Sequence, residues 1–324
     1  MRLLAVETSC DETSLAVMED GQIASLRVAS QAALHQPTGG VVPEMAARRH
    51  LEVIRVEAEA ALAEAGSALS ELDGIAYTRG PGLVGSLLVG SSFAQALALA
   101  QRLPAVAVNH VLAHIHAVFI GQEPRFPLVA LVVSGGHTSL FRLEAPLQIE
   151  LLGETRDDAA GEALDKVARL LGLGYPGGAA LERLAEQVPG PGVTLPRVRL
   201  EGERPDFSFS GLKTAARQAI LSGEEPARVA KGFQEAVIAH LVETTRRALV
   251  PSDRMLVVGG GVAANRALGR ALAEALPGLP VHVAPPALSG DNAAMIGRLG
   301  WEMLRAGITT PLGLPVLSQW AALT

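Results

Sequence analysis

The chain has 324 residues, of which 49% are apolar and 19% charged, with a net charge of −6. That balance excludes a disordered chain, and the acidic excess with only 3% aromatics argues against a dedicated nucleic-acid binder built on a stacking platform. A single cysteine, Cys10, excludes internal disulfides and agrees with a reducing compartment.

No apolar run reaches the roughly 18 residues of a membrane span, and the start MRLLAVETSC lacks a basic region followed by a cleavage site. No membrane contact and a cytoplasmic location are therefore expected. The length suffices for two lobes.

In chain order, Leu3–Met18 (LLAVETSCDETSLAVM) reads as a β-hairpin around a polar turn. Cys10 in that turn is flanked by Asp11 and Glu12, whose charges oppose a thiolate, so it reads as structural. Arg48 and Arg49 form a local basic cluster, as do Arg197, Arg199 and Arg204; both read as solvated surface. GIAYTRGPGLVGSLLVG then runs from a short strand through a turn with Gly80, Gly82 and Gly85 into a helix, followed by a β-rich stretch over 104–109.

The next stretch, NHVLAHIHA, holds three of the eight histidines. His110 and His114 share one helix face, but a pair cannot fix a metal without a third ligand.

From Val129 the pattern repeats. VALVVSGGHTSLFRL is again a hairpin, and a shift of 125 residues carries Ser9 to Ser134, Thr13 to Thr138, Ser14 to Ser139 and Leu15 to Leu140. SGGHT is not a P-loop; Ser134, Gly135 and Gly136 either present N–H groups to a phosphate or make a plain tight turn. In DDAAGEALDKVARLLGLGYPGG, Ala160, Ala163, Leu164, Val167, Ala168 and Leu171 form an apolar helical stripe. If the opposite face lines a cleft, Asp165 and Glu182 can hold ribose hydroxyls.

MLVVGGGVAANRALGRA matches the earlier strand–turn–helix, with Gly259, Gly261 and Ala264 in place of Gly80, Gly82 and Gly85, and a short strand over 280–285 follows. No carboxylate ends that strand, so an NAD fold fails, although Asn265 can both donate and accept to a nucleoside. Alternating β and α elements in two copies predict an α/β protein of two related lobes. PALSGDNAAMI follows the second short strand as the histidines follow the first. A pseudo-twofold therefore brings Asp291 toward His110 and His114 across the cleft, completing a recognised metal set; the competing role for Asp291 is a helix N-cap.

The segments ETSCDET, HQPTGGVVPEMAARRH, YTRGPGLVGSLLVG, NHVLAH, VVSGGHT, DDAAGEALDKVARLLGLGYPGG, FSFSGLKT, GGGVAAN and SGDNAAMI together resemble the TsaD family of tRNA N6-adenosine threonylcarbamoyltransferases, over nearly the whole chain. The resemblance implies the actin-like, Hsp70-like ATPase (ASKHA) fold, with two duplicated lobes around a central cleft. The expected boundaries are an N-terminal lobe over 1–108 completed by 296–324, and a C-terminal lobe over 109–295 with a helical insertion around 180–250.

It implies one metal ion per chain on His110, His114 and Asp291, iron first with zinc as the other candidate. It implies an adenylate site of Val132, Val133, Ser134, Gly135, Gly136, Asp165, Gly178, Glu182 and Asn265. The implied reaction moves a threonylcarbamoyl group from threonylcarbamoyl-AMP to N6 of adenosine-37, in tRNAs reading codons that begin with A, and releases AMP. Asp11, near the first hairpin tip, is a candidate for accepting or orienting the amine proton, or a simple turn residue. The implied partners are tRNA, a paralogous actin-fold subunit of the TsaB type and a P-loop ATPase of the TsaE type. Ala179 and Gly269 depart from the family pattern without touching a motif residue.

Three rivals remain. A zincin protease needs HExxH, but Val111 follows His110. A sugar kinase on the same fold would not require the metal set, and a non-catalytic nucleotide-binding scaffold would give it no purpose.

Overall fold

The computed structural model describes residues 1–320; the last four residues of the 296–324 segment expected to complete the N-terminal lobe lie outside them. In chain order the first elements are β1 (Arg2–Glu7), β2 (Glu12–Glu19), β3 (Gln22–Ser30), α1 (Ala32–His35), α2 (Pro43–Glu64), β4 (Gly74–Gly80), α3 (Val84–Gln101), β5 (Ala105–Asn109) and α4 (His110–Ala117). Then come β6 (Leu128–Val133), β7 (Thr138–Ala145), β8 (Gln148–Glu154), α5 (Ala160–Leu170), α6 (Gly178–Glu186), α7 (Ser210–Leu221) and α8 (Pro226–Ala248). The last are β9 (Leu256–Gly259), α9 (Arg266–Ala275), β10 (Val281–Val283), α10 (Pro286–Ser289) and α11 (Ala293–Arg305).

The chain forms two compact units. One comprises Met1–Glu123 with the segment that begins at Gly290, and the other Pro124–Ser289. Residues 109–123 and 290–295, expected in the second lobe, thus belong to the first. Each unit holds one five-stranded sheet, in the orders β3-β2-β1-β4-β5 and β10-β9-β6-β7-β8. Read from opposite ends, these are one topology: two antiparallel hairpin links followed by two parallel additions. The internal repeat is therefore a repeat of sheet topology.

In the first unit β1 is flanked by antiparallel β2 and parallel β4, and five of its six residues are buried. A strand covered on both faces reads as a continuous apolar run. Alternation sends Leu4 and Val6 into a core with Ile54, Ala58 and Leu62 of α2 and Ala94 of α3. The other face receives α11, and it does so closely. A Cβ on Gly297 would lie 2.4 Å from Met18 Cγ and 3.0 Å from Ala5 Cβ, and one on Gly300 would lie 2.5 Å from Ala76 Cβ. Glycines facing small strand residues seat this helix on the sheet.

Helix α3 is long and apolar enough to cross a membrane by length and composition, although its glycines, serines and glutamines interrupt any continuous apolar run. Only 33% of it is buried, yet it packs on β4 and α2.

In the second unit β6 is entirely buried between β7 and β9, and its Val129, Leu131 and Val133 join a core with α5, α8 and α9. The segment around 180–250 consists of α6, α7 and α8. The irregular stretch after α6 is seated where a Cβ on Gly192 would fall 1.9 Å from the backbone nitrogen of Gly232.

Candidate metal centre and nucleotide-binding turns

Asn109 ends β5 and caps α4, its side-chain oxygen accepting from Val111 N at 2.9 Å and Leu112 N at 3.2 Å. The cap starts the helix at His110, so His110 and His114 rise from one face with ring centroids 4.8 Å apart. Asp291 lies just before α11, which packs on α4. Its Oδ1 is 3.5 Å from His110 Nε2 and 3.4 Å from His114 Nε2.

Asp291 is not the helix cap. Asn292 takes that role, its side chain accepting from Met295 N at 3.1 Å. The route expected from the sequence is also corrected: Asp291 shares a unit with the histidines and does not approach from the second copy. The second unit ends at Ser289, and the chain returns to the first sheet one residue before Asp291.

The donor chemistry fits a metal ion. His114 is fully buried; among the described residues its Nδ1 has no hydrogen-bond partner, and its Nε2 has only the 3.4 Å contact with Asp291. An imidazole nitrogen buried beside a carboxylate without a proper hydrogen bond is costly unless something binds there, and Nε2 is the atom that would take the ion. His110 is oriented from behind: its Nδ1 is 3.0 Å from Glu7 Oε2 and 3.2 Å from Ser9 Oγ. A carboxylate on one imidazole nitrogen aims the other nitrogen's lone pair, as in many metal sites. Glu7 is itself held, accepting from Thr78 Oγ1 at 2.6 Å and from the Ser9 amide.

Electrostatics follow from this packing. Burial would raise the Glu7 carboxyl, but the adjoining His110 ring holds it below the usual carboxylate range. Burial likewise opposes charge on His110, yet Asp291 and Glu7 push it well above an ordinary histidine. Burial lowers His114, and Asp291, despite its own burial, is kept well below the usual range by His110. Among the described residues, His110, His114 and Asp291 are the metal-competent group. Burial and the charge of Asp11 push the Cys10 thiol up, in keeping with a structural role.

Glu7, Ser9 and Thr78 were missed in the sequence. So was a buried network behind the first hairpin turn. There His50 Nδ1 meets Thr13 Oγ1 at 2.7 Å and Gln31 Nε2 at 3.4 Å, while His50 Nε2–H donates to Cys10 O at 2.9 Å. That bond fixes the turn carrying Asp11, whose own carbonyl accepts from Gln31 N at 3.0 Å. The one available signal was a glutamate, Glu7, closing an otherwise apolar strand.

The second unit brings together the residues expected to hold a nucleotide. Val132 and Val133 end β6; Ser134–His137 turn the chain back, with Ser134 N donating to His137 O at 2.8 Å. A Cβ on Gly135 or Gly136 would meet nothing within 4 Å, so the turn is open above. Beneath it, α5 is docked so tightly that a Cβ on Gly161 would lie 2.5 Å from Ser134 O. Gly260, at φ +95°, approaches Val133 O to 2.4 Å by the same measure and sets the second glycine turn beside the first.

Several expected ligands have structural partners. Asp165 Oδ1 accepts from Gly177 N and Gly178 N, both at 2.9 Å, and so shapes the Tyr-Pro-Gly-Gly turn. Glu182 Oε1 accepts from Arg266 N at 3.0 Å. Asn265 caps α9 through Ala267 N and Leu268 N, and its Nδ2 donates to Gln234 Oε1 at 3.2 Å. These bonds tie α5, α6 and the start of α9 into one half-buried polar rim.

Nearby, the FSFSGLKT segment is held by Asp157, which accepts from Phe209 N at 2.8 Å and Ser210 Oγ at 2.7 Å. Ser208 N donates to His240 Nε2 at 3.2 Å, and burial lowers His240 to about 4. Because the unfolded chain takes up this proton first, stability is lost as pH falls from about 6.5 toward 4. The loss then levels off, after about 3 kcal/mol at most. Between pH 7 and 4.5, wild type should lose more stability by urea denaturation than His240→Gln; equal losses would refute this.

Comparison with known proteins agrees with the geometry. The TsaD family model, described as tRNA N6-adenosine threonylcarbamoyltransferase, matches residues 22–298. The chain is 48% identical over 330 residues to the tRNA N6-adenosine threonylcarbamoyltransferase of Trichlorobacter lovleyi, covering 99% of this chain and 96% of that one. It is 49% identical over 323 residues to the enzyme of the same name from Thermus thermophilus, covering 99% and 98%. Among solved structures, T. kodakarensis HypF superposes with a TM-score of 0.66 at 17% identity, over 95% of this chain and 48% of that one. The activator of 2-hydroxyisocaproyl-CoA dehydratase from Clostridium difficile gives 0.55 at 14%, over 95% and 97%. These likenesses place the fold among the actin-like, Hsp70-like ATPases, and the chain belongs to the TsaD family of tRNA N6-adenosine threonylcarbamoyltransferases.

Proposed function

We propose that the protein transfers a threonylcarbamoyl group from threonylcarbamoyl-AMP to N6 of adenosine-37 in tRNA, in the cytoplasm. The observation that carries the metal-assisted form of this reading is His114, fully buried with no hydrogen bond on either ring nitrogen among the described residues and with Nε2 facing Asp291 beside His110. These three residues would hold one metal ion, iron or zinc. When bound, it would supply Lewis acidity toward carbonyl or phosphate oxygens.

The chain's own residues do the rest. The Ser134–Gly136 turn offers the Gly135 and Gly136 backbone N–H groups to the phosphate, Ser134 N being bound to His137 O, with Val132 and Val133 behind it. Asp165 shapes the turn at Gly178, and with Glu182 and Asn265 forms the rim that holds the nucleoside and so fixes the reacting carbonyl. The adenosine amine attacks the carbamoyl carbon, the bond to the phosphate oxygen breaks, and AMP leaves with that electron pair. Asp11, on the turn pinned by His50, accepts or orients the amine proton. No serine or cysteine nucleophile is invoked, in line with the raised Cys10 thiol.

A net charge of −6 gives the single chain weak attraction for tRNA. Partners of the kind the family resemblance implies, a paralogous actin-fold subunit of the TsaB type and a P-loop ATPase of the TsaE type, would complete the active assembly. A sugar kinase on this fold would leave the His–His–Asp group without use.

The test combines the protein and its partners with labelled threonine, bicarbonate, ATP, the synthase that makes the adenylate, and unmodified tRNA. Label is expected on one adenosine with wild type and not with His110→Ala. Absence of label with wild type overturns the transferase reading, and equal label with His110→Ala overturns the role of the metal.

A further inference from the structure

The first unit contains an open cavity of about 480 Å³ that no step above uses, lined by Ser30, Gln31, Leu34, Met45, Arg48 and Arg49 among others. We propose that it receives one nucleotide of the tRNA substrate, with the phosphate on Arg48 and the base or ribose against Leu34 and Met45. The proposal rests on the tRNA-modifying reading above.

Three observations favour it. Arg48 is exposed and, among the described residues, has no ion pair, whereas its neighbour Arg49 is held by Glu52 at 3.0 Å. An uncommitted guanidinium at a concave site is a ready phosphate donor. Beside it, Leu34 is 41% exposed and Met45 half-buried, an apolar wall next to a cation. Single-stranded RNA is recognised by that combination of phosphate contact and base packing. The volume also falls in the range of small-ligand pockets.

Position supplies the third observation. Gln31 lines the cavity, is only 3% exposed, and reaches His50 Nδ1 at 3.4 Å. His50 holds Cys10 O at 2.9 Å, and the preceding residue, Ser9, touches His110 Nδ1 at 3.2 Å. The cavity is thus linked through three side chains and one turn to the candidate metal centre. A nucleotide flanking the target adenosine would have to sit near that centre. On an acidic chain, the lining of this cavity carries two arginines, Arg48 and Arg49, against one glutamate, Glu52, a local balance that suits a phosphate.

The test measures steady-state kinetics on unmodified tRNA in the reconstituted mixture, with Arg48→Ala and Leu34→Asp, both exposed positions where folding is preserved. Each should raise KM for tRNA by about ten-fold with kcat and AMP affinity little changed, and Arg48→Ala should lower the salt slope of tRNA binding by about 1. Unchanged KM in both variants, with wild type active, overturns the cavity proposal alone. An effect of Arg48→Ala without one from Leu34→Asp reduces it to general electrostatics and overturns occupancy. Unchanged KM with weakened binding of the partner subunit reassigns the surface to a protein contact. Inactive wild type removes the tRNA reading on which the proposal rests.

Discussion

His114→Ala is expected to abolish stoichiometric metal binding and to lower transfer activity by about 10²–10³-fold, the scale seen when one electrostatic contact to a reacting group is removed. The distinctive part concerns the metal-free protein. Truncating a buried ring opens a cavity, which usually destabilises by a few kcal/mol. Here the same change also removes a buried Nδ1 without a hydrogen-bond partner, worth about 1–3 kcal/mol, and an Nε2 that has only a 3.4 Å contact with Asp291. The two effects offset, so metal-free His114→Ala should unfold within about 1–2 kcal/mol of metal-free wild type. Metal should then stabilise wild type alone.

Glu7→Gln extends the test, because it keeps the shape but weakens the acceptor on His110 Nδ1; metal affinity should fall about 10–100-fold. Metal analysis with denaturation of loaded and stripped protein decides both. Metal content unchanged in His110→Ala, His114→Ala and Asp291→Ala would refute the centre.

Gly260→Val should produce a large loss of stability in the second unit. The residue sits at φ +95°, a region that side chains with a Cβ rarely occupy, and its Cβ would fall 2.4 Å from the backbone oxygen of Val133. Backbone strain of this kind costs about 1–3 kcal/mol, and a β-branched residue adds overpacking of similar size. The clash is with backbone, so no rotamer relieves it. Stability by denaturant should fall by about 3 kcal/mol or more, and AMP binding should weaken because the two glycine turns no longer lie side by side. By contrast Gly261→Ala, where a Cβ meets nothing within 4 Å, should fold like wild type. If both variants behaved alike, close approach would not be what selects glycine at position 260.

Much of this was legible in the sequence because it depends on local period. Hairpins alternate, so LLAVETSCDETSLAVM and VALVVSGGHTSLFRL revealed themselves as copies, and the sheets share one topology. The spacing of His110 and His114 similarly needs only a helix. Asp291 was chosen correctly for the group but by the wrong route, since a repeat aligns loops without showing that the chain re-enters the first unit at Gly290. Glu7 was visible as an acid, yet no local pattern distinguishes a buried acid behind a histidine from one at a strand end. The engagements of Asp165, Glu182 and Asn265 come from helix ends that meet only in the folded chain. The apolar character of α3 was diluted in the linear sequence by its glycines and serines.

The return of the chain at Gly290 bears on synthesis. A ribosome delivers both histidines and the whole first sheet before any of the second unit, and Asp291 only after all of it. During that interval the first unit lacks α11, so Ala5, Met18 and Ala76 have no helix over them. The three ligands proposed for the metal can therefore come together only once α11 docks. A chain released early at the end of the second unit would carry an exposed apolar sheet face and a two-ligand site. Because Asp291 follows the second unit in the chain, the proposed metal centre gains its third ligand only after that unit has been made.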